Sequence, residues 1–172
     1  MNPPLRTRGD AEAVIRGLRE GVIQAVATDH APHTAEDKTG DFKSAAFGIS
    51  GLETALGVLL SLVHQGKLDL TTLVERLTAG PVRVLQSRSR SCVASVAADV
   101  PVGLGTLRIG APGDVTVFDP TVEWRVDPAL FASKGKNNPW AECLLQGKVM
   151  ATAVGGELVY KDESVSIETG RR

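Results

Sequence analysis

The chain has little cysteine, no excess of charge of either sign and no long apolar run. Its two cysteines, Cys92 and Cys143, are too few and too far apart for a disulfide framework or a zinc knuckle, which suits a reducing compartment. Lys+Arg number 19 against 20 Asp+Glu, a formal net charge of -1, so no whole-chain field is present to hold nucleic acid or an anionic membrane surface. Small-molecule chemistry becomes the expectation. No segment approaches the roughly 20 apolar residues of a membrane span, and the opening "MNPPLRTRGD" lacks the apolar core of a signal peptide, which makes the cytoplasm the expected location. There is no internal repeat, and low complexity is confined to a Ser/Arg patch, "QSRSRS". What is present, 42% hydrophobic and 23% charged residues over 172 positions, is globular and long enough for one core or one and a half domains.

The prolines of "NPPLR" force an extended entry, after which Asp10 begins a stretch with Ala11, Val14, Ile15 and Leu18 on one helical face, ending near Gly21. "VIQAVAT" is a short β-branched apolar run of the length of a strand buried on both faces, as in a parallel sheet. Thr28 to Gly51 is polar and aperiodic and reads as a long loop, and long loops inside compact domains are often functional. "GLETALGVLLSLVHQG" reads as a helix apolar almost all round, and "DLTTLVERLTAGPVRVL" as a helix capped by Asp69 and stopped by Gly80 and Pro81. Helix, strand, loop, helix is the grammar of an α/β fold. From about Gly103 the runs "GTLRIGAPGDVTVFDP", "VEWRVDP" and "LLQGKVMATAVGGELVYKD", punctuated by Gly-Gly, Gly-Asp and Asp-Pro, predict antiparallel hairpins in a separate small β-unit. The expected organisation is α/β over 1–85, a connector or insertion over 86–103, and β structure over 104–172.

Chemistry concentrates in "VATDHAPHTAED". Asp29 follows the predicted strand, where the C-terminal end of a parallel strand carries its working side chains. A carboxylate there can ligate a metal, and can take a proton from bound water and pass it on. His33, beyond the stiffening Pro32, would sit above it, facing a substrate. By residue type alone, an Asp that caps the next turn and a histidine solvated in a loop stand beside that reading. The spacing forms no self-contained zinc site, since two His and one Asp from one short loop would hardly close a tetrahedron.

"MNPPLR", "ATDHAPH", "FGISGLETAL", "GTLRIGAPGDVTVFDP" and "SKGKNNPW" through "GKVMATAVGGELVY", in that order, resemble the C-terminal portion of a class I dihydroorotase of the amidohydrolase superfamily. The resemblance implies the last part of a (β/α)8 metal-dependent hydrolase barrel plus a β-sandwich segment. It also implies reversible hydrolysis of (S)-dihydroorotate to N-carbamoyl-L-aspartate in pyrimidine biosynthesis. Asp29 matches the family's metal-ligating, proton-shuttling aspartate, and His33 a histidine on the substrate's carboxylate side. Asn2 matches a substrate-contacting asparagine, and Phe47 and Gly48 the loop whose backbone touches the pyrimidine ring. His30 is expected to be a supporting or packing histidine and His64 a solvated position on a helix face.

The same resemblance implies two zinc ions, yet the family's His-x-His pair, carboxylated lysine and further histidines have no match. The only histidines are His30, His33 and His64. The sequence is therefore expected to be a truncated product or a fragment, inactive by itself. Partners implied are the small-molecule substrate, with a homodimer or an aspartate carbamoyltransferase assembly left open, and neither nucleic acid nor membrane. Two alternatives remain: a non-catalytic dihydroorotase-like partner of aspartate carbamoyltransferase, or another cyclic amidohydrolase such as a hydantoinase, dihydropyrimidinase or allantoinase.

Overall fold

A computed structural model describes residues 2–88 and 100–166, so most of the expected connector at 86–103 lies outside the described residues. Helix α1 spans Arg8–Glu20, two residues earlier than the expected start at Asp10. Thr7 is the cap: its hydroxyl accepts from the Asp10 amide at 3.3 Å, and the Asp10 carboxylate accepts from the Thr7 amide at 3.0 Å. Gly21, at φ 80°, closes the helix in the left-handed region that glycine enters freely. Helix α2 (Ala35–Lys38) lies within the expected long loop, followed by α3 (Ala55–His64), α4 (Leu70–Leu77) and α5 (Ala79–Arg88).

Asp69 caps α4 as expected, accepting from the Thr72 amide at 2.8 Å. Gly80 and Pro81, however, do not end helical structure: they lie in the first turn of α5. Proline is tolerated there because the first-turn amides have no intrahelical partner. Gly80 also permits a close approach, since a Cβ there would stand 2.0 Å from the Gln24 carbonyl oxygen.

The predicted strand "VIQAVAT" is assigned neither helix nor strand among the described residues, opening on a bend at Val22 and Ile23. A strand needs a neighbouring strand to take its donors; here the Val26 amide donates to the helical Arg76 carbonyl at 3.0 Å. One parallel bridge, His30 with Ile49, is the trace of parallel pairing. The barrel part of the expected α/β fold is thus not reproduced as a sheet, and the β-unit is one sheet in place of a sandwich among these residues.

That sheet has the order β1 (Val115–Arg125), β2 (Leu144–Val154), β3 (Glu157–Lys161), antiparallel throughout, as the hairpin signals predict. Gly155 and Gly156, at φ 59° and 84°, make the two-residue turn between β2 and β3. Helix α3 lies against β2, with Leu60 facing Gly147. His64 remains exposed, but its Nε2 donates to the Pro120 carbonyl at 3.1 Å, tying α3 to β1. Leu18, Leu60, Leu68 and Leu73 form the core, flanked by Ile23, Val26, Leu56 and Phe118. Buried Arg76 donates from Nε to the Leu18 carbonyl at 3.1 Å, which also accepts from the Gly21 amide at 3.3 Å, at the partially negative C-terminus of α1.

Buried Asp162 fastens the end of the sheet. Its amide donates to the Met150 carbonyl at 2.8 Å, and its carboxylate accepts from Lys148 Nζ at 2.5 Å and the Ser164 hydroxyl at 2.5 Å. The Lys148 ammonium, with Ser164 behind it, holds the Asp162 carboxyl far below the usual carboxylate range. A carboxyl depressed in the folded state stabilises above its unfolded pKa of about 3.9, and the contribution fades as pH falls below that value. Asp162→Asn is accordingly expected to lower the Tm by several degrees at pH 7 and by progressively less below about pH 4. Thermal melts across that range check it; a deficit independent of pH would assign the effect to packing alone.

Candidate functional site

Three chain segments meet around the quoted loop. Residues 28–33 follow the predicted strand, 47–54 lead into α3, and 131–140 come from the β-unit. The Ala31 amide donates to the Ile49 carbonyl at 2.9 Å, joining the first two. The third locks onto both: the Ser50 amide donates to the Asn137 carbonyl at 2.9 Å, and Ser50 Oγ donates to the Gly135 carbonyl. Buried Asn138 donates from Nδ2 to the Ser50 carbonyl at 2.7 Å and to Thr54 Oγ1 at 3.1 Å. Asn137 Nδ2 reaches the Gly48 carbonyl at 3.3 Å.

Asp29 adjoins this junction with φ 48°, a left-handed backbone that aspartate enters more readily than most non-glycine residues. Its side chain is exposed and makes no hydrogen bond among the described residues. Its carboxylate, free of hydrogen bonds among the described residues, distinguishes it from an aspartate that merely caps a turn, whose oxygens would be occupied. His33 is partly exposed, its Nδ1 3.8 Å from the Asp37 carboxylate. Gly48 packs beside it: at φ 109°, a Cβ there would lie 2.4 Å from the Ala31 Cβ and 3.5 Å from His33 Nε2. Phe47 is 55% exposed at the same edge. Asn2 is exposed and is hydrogen-bonded to none of these segments among the described residues.

The structure therefore sets Gly48 beside Ala31 and His33, with Asp29 and Phe47 next in the chain to the bridged and packed residues His30 and Gly48, and leaves Asn2 unattached to them. Residues without an expected role complete the region. Lys38 Nζ donates to the Ala46 carbonyl at 2.6 Å and the Gly48 carbonyl at 2.5 Å, so the short helix α2 holds the 46–48 backbone in place. His30 Nδ1 accepts from the Gly51 amide at 3.1 Å and the Leu52 amide at 3.3 Å, and its Nε2 stands 3.4 Å from Ser133 Oγ. Ser133 gives its hydroxyl proton to Glu53 Oε1 at 2.6 Å and its amide to the same oxygen at 2.9 Å. Burial alone would raise the Glu53 pKa, but the bonds from the Ser133 hydroxyl and amide outweigh it, holding the carboxyl below its usual range.

A resident metal does not fit the described residues by themselves. No group of three His, Cys, Asp or Glu converges among them, and zinc takes four ligands. Asp29 could give one.

Gly135 has backbone neighbours so close that a Cβ would lie 2.6 Å from the Pro32 Cβ and 2.8 Å from the His33 nitrogen. Gly135→Ala is expected to push the 131–138 loop off the 30–33 turn at a cost of about 1–3 kcal/mol. Urea unfolding checks the loss, and a variant as stable as the parent would show that this close approach is absent in solution.

No protein-family model matches the chain. It is 44% identical over 163 residues to a dihydroorotase of Syntrophus aciditrophicus, covering 95% of this chain and 35% of that protein. It is 46% identical over 162 residues to a dihydroorotase of Anaeromyxobacter dehalogenans and 45% over 168 to one of Solibacter usitatus. The chain thus spans about a third of the length of the curated relatives it matches. Among solved structures it is similar to an L-hydantoinase (dihydropyrimidinase) from Arthrobacter aurescens, with a TM-score of 0.77 and 28% identity over 96% of this chain and 35% of that one. A D-hydantoinase matches at TM-score 0.77 and 21% identity, covering 93% of this chain and 33% of that one; this likeness speaks to fold alone.

Proposed function

We propose, from the premise that this chain belongs by sequence with the dihydroorotases over the third of their length that it spans, that it forms the Asp29 side of a dihydroorotase active site. What supports the reading is that Asp29 is exposed, makes no side-chain hydrogen bond among the described residues, and adjoins His30, whose bridge to Ile49 sets this turn beside the 48–50 backbone. The reaction is reversible hydrolysis of the cyclic amide of dihydroorotate to N-carbamoyl-L-aspartate. It needs a base to take a proton from the attacking water and an acid to return one to the departing ring nitrogen. One carboxylate does both in turn if it is exposed to substrate and free of internal bonds, as Asp29 is. His33, with its ring partly exposed, hydrogen-bonds the substrate carboxylate. Phe47 and Gly48 present backbone groups to the ring, and Lys38 fixes those groups by holding the carbonyls on either side of Phe47. Asn2 contacts the substrate from the chain's other approach to the site.

In this reading, residues 1–85 are the last part of a (β/α)8 barrel and 104–172 the C-terminal part of its β-sandwich. The cofactor is zinc, and its remaining ligands come from outside the described residues. The protein is cytoplasmic. The isolated chain is expected to turn over no dihydroorotate even with zinc, whereas a fusion to the first two-thirds of the Syntrophus or Anaeromyxobacter relative is expected to be active. In that fusion His33→Ala is expected to raise KM about tenfold or more with a smaller effect on kcat, as for lost substrate binding. A fusion that folds but hydrolyses hydantoins in preference to dihydroorotate would support the hydantoinase reading that the structural likeness to the Arthrobacter enzyme keeps in view. Turnover by the isolated chain at the fusion's rate would overturn the incomplete-site reading.

A further inference from the structure

We propose that Glu53 and Ser133 are positioning residues that keep Asp29 in its left-handed backbone by clamping the ring of its neighbour, His30. The importance of Asp29 rests on the function proposed above; the clamp itself does not. A left-handed backbone is uncommon even at an aspartate, and one conformation is kept where the neighbouring residues are fixed. Asp29 makes no side-chain hydrogen bond among the described residues, so what holds it must act through the residues on either side.

His30 is held at several points. Its backbone bridges to Ile49, and the next amide, of Ala31, donates to the Ile49 carbonyl at 2.9 Å. Its ring admits one arrangement of protons. The Gly51 and Leu52 amides can only donate, so Nδ1 accepts and is bare, and the proton of the neutral ring sits on Nε2, 3.4 Å from Ser133 Oγ. Ser133 has one hydroxyl proton, and Glu53 Oε1 at 2.6 Å takes it, leaving the Ser133 oxygen free to accept from His30. Donation therefore runs from Gly51 and Leu52 to His30, from His30 to Ser133 and from Ser133 to Glu53. Glu53 is the residue after Leu52, so the path closes into a ring that joins the three segments around Asp29. The set resists rotation of the imidazole because turning it would leave the Gly51 and Leu52 amides without their acceptor; Glu53 Oε2, by contrast, is buried with no partner among the described residues. Ser133 belongs to the β-unit, so that unit reaches the candidate site through its hydroxyl and amide as well as through Gly135, Asn137 and Asn138.

Amide hydrogen exchange and Asp29 backbone NMR shifts of the full 172-residue chain test the clamp, and neither needs substrate or turnover. They can therefore fail while the functional reading stands, or the reverse. Ser133→Ala removes the acceptor for Nε2. Glu53→Asp keeps the charge but withdraws the oxygen by one methylene. Each is expected to speed exchange at Ala31, Gly51 and Leu52 by about tenfold or more and to move the Asp29 shifts away from left-handed values, with Leu60 and Ala151 unchanged. Ser133→Thr, which restores the hydroxyl, is expected to retain the parent pattern. Unchanged exchange at the three amides, a rise shared equally by Leu60 and Ala151, or failure of the threonine to restore protection would each overturn the proposal. If one of the two disrupting variants does not fold, the other carries the same comparison.

Discussion

Asp29→Asn in the fusion with the upstream two-thirds of a relative is expected to lower kcat for dihydroorotate by about a thousandfold, with KM little changed. General acid–base groups contribute roughly 10²–10⁴-fold, and a thousandfold loss corresponds to about 4 kcal/mol of transition-state stabilisation. The asparagine variant is the informative one because the site is left-handed, at φ 48°. Asparagine enters that region more readily than alanine and keeps the side chain's size, so the change removes the charge and the proton carrier with little backbone penalty. No hydrogen-bond partner of Asp29 among the described residues is left stranded by the exchange. Asp29→Ala is expected to show the same rate loss with some added instability. Steady-state rates over a substrate series separate kcat from KM, and a near-parental rate in the asparagine variant would remove Asp29 from the mechanism.

Leu60→Ala is expected to cost about 3–5 kcal/mol of folding stability. Leu60 is 0% exposed and joins the helical core to the sheet, with Gly147 pressed so close that a Cβ there would lie 2.2 Å from Leu60 Cδ1. Glycine at φ 104° is what lets β2 approach, and Gln146 and Lys148 on either side of it are held in the ladder with β1, which limits collapse into a cavity. For a chain of this size the loss corresponds to a fall in Tm of about 10 °C. Urea unfolding should show a lower midpoint at an unchanged slope. A loss below about 1 kcal/mol would mean that the α3–β2 contact is not formed in solution.

Signals carried by neighbouring residues were legible in the sequence. Asp69 caps α4, Gly21 ends α1, and Gly155–Gly156 turns β2 into β3, each because the residue's own backbone or side-chain chemistry decides the outcome. Gly80 and Pro81 read either way because a helix stop and the first turn of a helix accept the same residue types, and here they open α5. "VIQAVAT" has strand composition, but a ladder is a property of two segments, and the Val26 donor goes to Arg76.

The candidate site divides in the same way. Asp29, His33, Phe47 and Gly48 stood out because they cluster in a polar loop that also carries the family resemblance. Lys38, Glu53, Ser133, Gly135 and Asn138 did not, since each acts on a partner eight to more than a hundred residues away. "SKGKNNPW" did carry a signal: a glycine and paired asparagines before a proline, in a segment outside any helix or strand, are the residues that let one loop dock on another. Its partner, however, could be named only from the fold.

The most direct measurement is a crystal structure of the fusion grown with zinc. The expected result is an Asp29 carboxylate oxygen about 2.0–2.2 Å from an ion, with the other ligands supplied by the upstream sequence. An ion fully coordinated without Asp29, whose carboxylate instead points into bulk water, would contradict the account.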